Sequence, residues 1–359
     1  MSDPFRGGED AFVQRLVSLF RGIPASGVVV GIGDDAAVLP GRPVRVVTAD
    51  QLVESQHFRF GLISDEHLAV RALEANLSDI AAMGARPEAV LLCLSWPPGR
   101  TASRRAGRFL RGLAAACRRR AVPLVGGDVT RAAPGATSIT ITALGRAWPG
   151  GPVLRSGGGP GDPLAVTGPL GGAAAGLAIL ERRMPRGRGA AERSASEAAV
   201  SAFRTPRARL DAARPLARHA SALIDLSDGL GLDLPRLARA SRCGFVVEAE
   251  RIPVHPGAAL AGSAGGLRLA ISGGEDFELL AAIPEGRLEA ARSAVRRAGA
   301  ELHVLGRLTS ARRGWIAEAG RRRPWPRHGW DPFAEPRRRR LDVPNGRSVG
   351  QGGRAGPAG

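Results

Sequence analysis

The stretch Trp148–Pro163, WPGGPVLRSGGGPGDP, decides how the chain is divided. Gly and Pro at this density favour turns and interrupt helix and strand alike, so the stretch reads as a seam between two folding units. Before it, β-prone runs at Val28–Val30, Val44–Val47, Ala89–Leu94, Pro123–Val125 and Ser138–Leu144 alternate with helical composition at Asp65–Met83 and Ala102–Arg119. Within the first helix Ala69, Leu73, Leu77 and Ile80 form an apolar stripe, and Gly84 followed by Pro87 closes it. After the seam come a strand at Leu164–Thr167, a small-residue helix at Gly171–Leu180 and a charged, Ala-rich segment Arg182–Ala199 read as an exposed helix or loop. Further strands are expected at Ala222–Leu226, Phe245–Ala249 and Phe277–Ile283. The expectation is an α/β (α+β) fold in two domains, residues 1–148 and 149–310. An Arg-rich, partly disordered tail, 311–359, follows; order is expected to decline beyond about Leu308 except for a docking segment near Trp330.

Composition narrows the function classes. With 359 residues and 44% apolar content, the chain can bury two cores. No apolar run approaches the roughly 20 residues of a membrane span, and the start, MSDPFRGGED, lacks the basic-then-apolar pattern of a secretory signal. A cytoplasmic protein without a membrane partner is expected. Cys93, Cys117 and Cys243 are far apart and show no CxxC spacing, which argues against a zinc knuckle or a disulfide framework.

A formal charge of +18 raises nucleic-acid binding. The chain has no Lys, however, and its Arg excess is concentrated at Arg312, Arg313, Arg321–Arg323 and Arg337–Arg340, beside Gly and Pro. This reads as a solvated basic tail rather than a nucleic-acid site, and nucleic acid is not the expected partner. Absence of Lys also excludes a Walker A loop, the strand lysine of protein kinases and Schiff-base chemistry.

The informative polar residues are acids beside Gly at the ends of apolar runs. In GIGDDAAVL, adjacent Asp34 and Asp35 repel each other unless a cation or several donors intervene, although a solvated turn has the same composition. Thr48 and Asp50 close a strand, with His57 a few residues on. Asp79 lies one turn after Asn76 at the margin of the helical stripe. Gly126, Gly127 and Asp128 follow an apolar strand and allow close backbone approach to a ligand, or simply a turn. In DLSDG, Asp225 and Asp228 bracket Ser227 ahead of the helix Leu230–Ala240, where a cap and a phosphate site are compatible. SGGEDFE repeats the pattern of double glycine and acids, with Glu275 and Asp276. Hard oxygen donors without clustered His or Cys favour Mg²⁺ bridged to phosphates.

GIGDDAAVL, TADQLVESQHF, NLSDIAAMGA, GGDVTR, IDLSDGL and SGGEDFELL, in this order over roughly residues 10–333, resemble the thiamine-monophosphate kinase family. Aminoimidazole-ribonucleotide synthetase and selenophosphate synthetase share the general plan. The resemblance implies a homodimer built through a β-barrel shared by mixed-sheet N-terminal domains, with the C-terminal α/β domain completing a nucleotide cleft. It implies transfer of the γ-phosphoryl of ATP to thiamine monophosphate with several Mg²⁺ ions. Asp35, Thr48, Asp50, Asp79, Asp128, Asp225 and Asp228 are the implied metal ligands, Asp228 being the metal-positioning residue in a site without a general base. Gly127, Asp128, Arg155 and Ser227 are the implied ATP contacts; His57, Glu275 and Trp330 are the implied acceptor contacts. One departure is Ala49, where the family usually has Thr. Another ATP-dependent synthetase or ligase of the same superfamily is the alternative, and a basic nucleic-acid-binding protein the more distant one.

Overall fold

The computed structural model describes Asp10, Ala11, Val13, Gln14, Val17, Ser18 and residues 28–332. The run Arg337–Arg340 and the rest of the expected tail beyond 332 lie outside the described residues.

The first unit is an open five-stranded sheet in the order β1 (Ala37–Leu39), β2 (Arg45–Val53), β5 (Ser138–Ala147), β3 (Ala85–Trp96), β4 (Leu124–Arg131). All pairs are antiparallel except β3 with β4. One chain therefore leaves two edges and does not close a barrel. Helix α1 (Asp65–Ala82) begins where Ser64 accepts from the His67 amide at 3.1 Å, with Asp65 and Glu66 in its first turn complementing the helix dipole. It ends at Gly84, whose φ of +59° suits glycine. The expected stripe of Ala69, Leu73, Leu77 and Ile80 is fully buried, against Val90, Ile139 and Ile141 of the sheet. Helix α2 (Arg100–Arg120) adds Phe109 and Leu113 to the same core. Strand β3 starts earlier than expected, and its pairing is irregular between Pro87 and Ala89, where proline removes a ladder donor.

The second unit is a seven-stranded sheet in the order β12 (Arg321–Pro324), β11 (Gly314–Glu318), β8 (Gly244–Glu248), β10 (His303–Thr309), β6 (Pro163–Val166), β9 (Leu279–Ala282), β7 (Ala222–Asp225). Strands β6, β9 and β7 are buried along their whole length because helices cover both faces there. Helices α6 (Leu230–Ala240) and α8 (Gly262–Ser272) belong to one core, α5 (Leu210–His219) and α9 (Leu288–Arg297) to the other. Helix α3 (Gly172–Leu180) packs with α4 (Ala190–Arg204) and the short α7 (Pro256–Ala259). Ala81 and Ala82 of α1 share a core with Ala212, Ala213 and Leu216 of α5, so α1 is wedged between the two units.

Three expectations change. Val28–Val30 is not a strand: only Val30 bridges to Val38, and Val29 is exposed. The segment read as an exposed helix or loop contains α4, whose Ser196, Ala199 and Phe203 are buried. Order does not decline at Leu308, because β11 and β12 extend the sheet and Ile316 and Trp325 anchor them in the core. The charged run Arg321–Arg323 lies exposed on this edge strand, a placement that discourages further strand pairing.

Candidate active site

A cavity of about 1120 Å³ opens between the two units. Its acids come from both. The 34–35 turn, α1 and the end of β7 bring carboxylate oxygens of Asp35, Asp79 and Asp225 within 4.8 Å of one another. Burial holds Asp79 and Asp225 protonated well above the usual carboxylate range, and the charge of Asp35 adds to both shifts. Asp50 rises to about 6 through burial, then repulsion from Asp228 and Asp35. Such mutual repulsion is what a divalent cation relieves, and the donors are oxygens throughout, so the set fits Mg²⁺.

Polar side chains fix each acid. Thr48 Oγ1 donates to Asp79 at 2.7 Å, Ser78 Oγ donates to Asp225 at 2.6 Å, and the Asp50 amide donates to Asn76 at 3.0 Å. Strand alternation puts Thr48 and Asp50 on one face of β2. Ala49 points to the other, exposed face, so a Thr there would face away from these acids. Arg155 closes on Asp35 through Nε at 3.0 Å and a terminal nitrogen at 2.8 Å, while its own amide donates to Asp34 at 3.1 Å. Burial and the adjacent Asp35 push Asp34 up to about 6.

On the C-terminal side, Ser227 and Asp228 line the cavity just before α6. Asp233 accepts from the Asp228 amide at 3.0 Å, and Arg236 pairs with both acids. His57, Glu275 and Trp330 line the same cavity. The His57 and Trp330 rings lie 5.1 Å apart, and the Trp330 amide donates to the Asp228 carbonyl at 3.1 Å. His57 Nδ1 accepts from the Val53 amide, which leaves Nε2 as the donor of a neutral ring, and burial lowers its pKa.

Gly127 and Asp128 are not brought to this cavity. They sit on β4, every residue of which is exposed, three strands and about 14 Å from β2 along the sheet. A Cβ at Gly127 would fall 1.8 Å from the Leu92 carbonyl oxygen, so close strand approach alone accounts for glycine there.

Sequence reasoning did not single out Arg71, Ser78, Asp233 or Arg236. Arg71 and Ser78 lie within a helix that otherwise reads as apolar core, and their only signal is polarity at buried positions. Asp233 and Arg236, five and eight residues after Asp228, fit the ordinary polar face of an amphipathic helix.

Two linked units with acids from both meeting at one cleft define the class. The model of the AIR synthase related protein N-terminal domain matches residues 33–147, and that of the AIR synthase related protein C-terminal domain matches residues 159–316. Thiamine-monophosphate kinase of Salmonella typhimurium is 35% identical over 320 residues, 86% of this chain and 93% of that protein. The solved thiamine-monophosphate kinase of Stenotrophomonas maltophilia superposes with a TM-score of 0.69 at 30% identity, over 85% of this chain and 96% of that one. A solved complex of AaThiL with AMPPCP and TMP shares the fold at a TM-score of 0.76 and 24% identity, over 90% of this chain and 96% of that one. The chain belongs to the thiamine-monophosphate kinase family.

Proposed function

We propose that this protein phosphorylates thiamine monophosphate with ATP, giving thiamine diphosphate and ADP, by direct in-line transfer assisted by several Mg²⁺ ions. The observation that carries the reading is the convergence of Asp35, Asp79 and Asp225, from two domains, beside one cavity that His57 and Trp330 also line. Family membership supplies the reaction.

Asp35, Asp79 and Asp225, with Thr48, Asp50 and Asp228 at the cavity wall, would hold the ions. Bound there, Mg²⁺ supplies charge neutralisation for the nucleotide phosphates. The chain's own groups do the remainder. Asp228 is held in place by Arg236. Ser227, next to the start of α6, offers a donor where a helix N-terminus favours phosphate. Arg155 contributes a cation already seated beside the acids. A phosphomonoester has a second pKa near 6, so the acceptor oxygen is ionised at neutral pH and no general base is required. That oxygen forms the new bond to the γ-phosphorus as the bond to ADP breaks; His57, which lines the cavity, would donate from Nε2 to the acceptor phosphate. Glu275 would accept from a donor of the thiamine phosphate, and Trp330 would offer its face to the permanent thiazolium cation.

Gly127 and Asp128 enter as ATP contacts on their motif alone. The exposed β4 edge, with Leu124, Val125 and Val129 uncovered, supports a homodimer in which a second copy covers it. No described helix is long and apolar enough to cross a membrane. A cytoplasmic location, where ATP is available, is part of this proposal.

Incubation of the purified protein with ATP, thiamine monophosphate and excess MgCl₂ should yield ADP and thiamine diphosphate in equal amounts, and neither when the acceptor or Mg²⁺ is omitted. ADP release indifferent to thiamine monophosphate would instead favour a related synthetase acting on another substrate.

A further inference from the structure

Arg71 is the largest of the fully buried side chains, at 2% exposure, yet it borders the cavity. A guanidinium so enclosed is tolerated only when paired and hydrogen-bonded. Its partners come from separate parts of the fold. One terminal nitrogen donates to the Phe203 carbonyl at the end of α4, at 3.0 Å. The other is paired with the Glu275 carboxylate and lies 3.5 Å from the His57 carbonyl. Carbon Cζ sits 4.7 Å over the Phe203 ring. Nε has no partner among the described residues.

Glu275 is held from the other side as well. Its φ of +69° is unusual for a residue with a side chain, and its amide donates to the Ser227 carbonyl at 2.7 Å. The backbone is thus tied to the Ser227–Asp228 turn while carboxylate Oε1 is tied to α1. Arg71, Ala75 and Asp79 all border the cavity from one face of α1, at spacings of four residues. Eight residues of helix separate Arg71 from Asp79 by about 12 Å. One rigid helix therefore sets the distance between the metal-binding end of the cavity and the wall assigned to the acceptor.

We propose that Arg71 is a positioning residue for the acceptor: it fixes the Glu275 carboxylate and the His57 segment in register with the acid cluster on the same helix. This rests on the proposed kinase activity. Lysine would keep the charge but not the planar fork that joins a carboxylate and two carbonyls at once.

Steady-state kinetics of Arg71→Lys, Arg71→Gln, Glu275→Gln and the Arg71→Gln/Glu275→Gln double variant test the proposal, with thermal melting of each as a check on folding. Arg71→Gln should raise the KM for thiamine monophosphate about tenfold or more while KM for ATP stays within about twofold. Arg71→Lys should be intermediate, and the double variant should be no worse than the poorer single one, since both mutations break one pair. Equal rises in both KM values, an unchanged acceptor KM, or fully additive losses would overturn it. Should Arg71→Gln fail to fold, Arg71→Lys and Glu275→Gln decide on the same KM split. An inactive wild-type protein would count against the kinase reading itself.

Discussion

Ser78 and Asp225, 147 residues apart in sequence, are joined by a 2.6 Å hydrogen bond that crosses from α1 in the first unit to the end of β7 in the second. Ser78 is wholly buried, so its hydroxyl has no competing water and orients a carboxylate of the acid cluster. Ser78→Ala leaves that carboxylate short of one donor. We expect a loss of about 1–3 kcal/mol in urea unfolding and a roughly 10–100-fold rise in the Mg²⁺ concentration needed for half-maximal activity. An unchanged Mg²⁺ titration would show that Ser78 does not orient a metal ligand.

Asp276 gives a pH signature away from the acid cluster. It accepts from the Gly171 and Ala173 amides at 2.6 and 3.2 Å at the start of α3, and burial nevertheless pushes its pKa up from 3.8 to about 7. Between these values the folded protein binds a proton that the unfolded chain has released, so this residue's contribution is complete below about pH 4 and declines as pH rises through 7. Asp276→Asn removes the titration and keeps one of the two amide contacts, since only its Oδ1 can accept. Relative to wild type, its melting temperature should rise steadily from pH 5 to pH 8; a constant difference over that range would contradict the assignment.

The Asp276 turn shows what was legible in the sequence and what was not. Acids beside glycine at the ends of apolar runs marked Asp35, Asp225 and Asp228, whereas Asp50, expected to close a strand, lies inside β2 and reaches the cleft from its face; all four converge on one region. The stripe of α1 was legible because Leu73, Leu77 and Ile80 face a sheet. What could not be read was the burial of α1 on its other sides: Arg71 is covered by Phe203 and Glu275 of the second unit, Glu74 meets Arg120 of α2 and the Ala208 amide, and Asn76 meets the Asp50 amide of β2. The edge strands were missed for the opposite reason. In Arg321–Arg323 charge masks strand-forming backbone, and only pairing with Glu318, Ala317 and Ile316 reveals it. The position of β4 was hidden similarly, since a glycine-rich motif reads as a ligand loop whether or not its strand lies at an edge.

Trp330 should matter to one substrate and not the other. Its ring lies 40% exposed beside His57, and its backbone is tied to Asp228. Stacking a thiazolium on this face is worth about 0.5–2 kcal/mol, so Trp330→Ala should raise KM for thiamine monophosphate roughly 2- to 30-fold. An effect confined to ATP would remove Trp330 from the acceptor wall.

The β4 edge makes a prediction about assembly. Val125 and Val129 are 61% and 73% exposed, on an eight-residue strand with one unpaired edge. Left open, such an edge invites uncontrolled pairing; covered by the same strand of a second copy, it becomes interior. Sedimentation equilibrium at micromolar concentration should therefore report a dimer. Val125→Arg combined with Val129→Arg should shift the mass to a monomer without loss of helical signal, because neither side chain belongs to the core of its own chain. A wild-type monomer at that concentration would rule out the second copy as the cover.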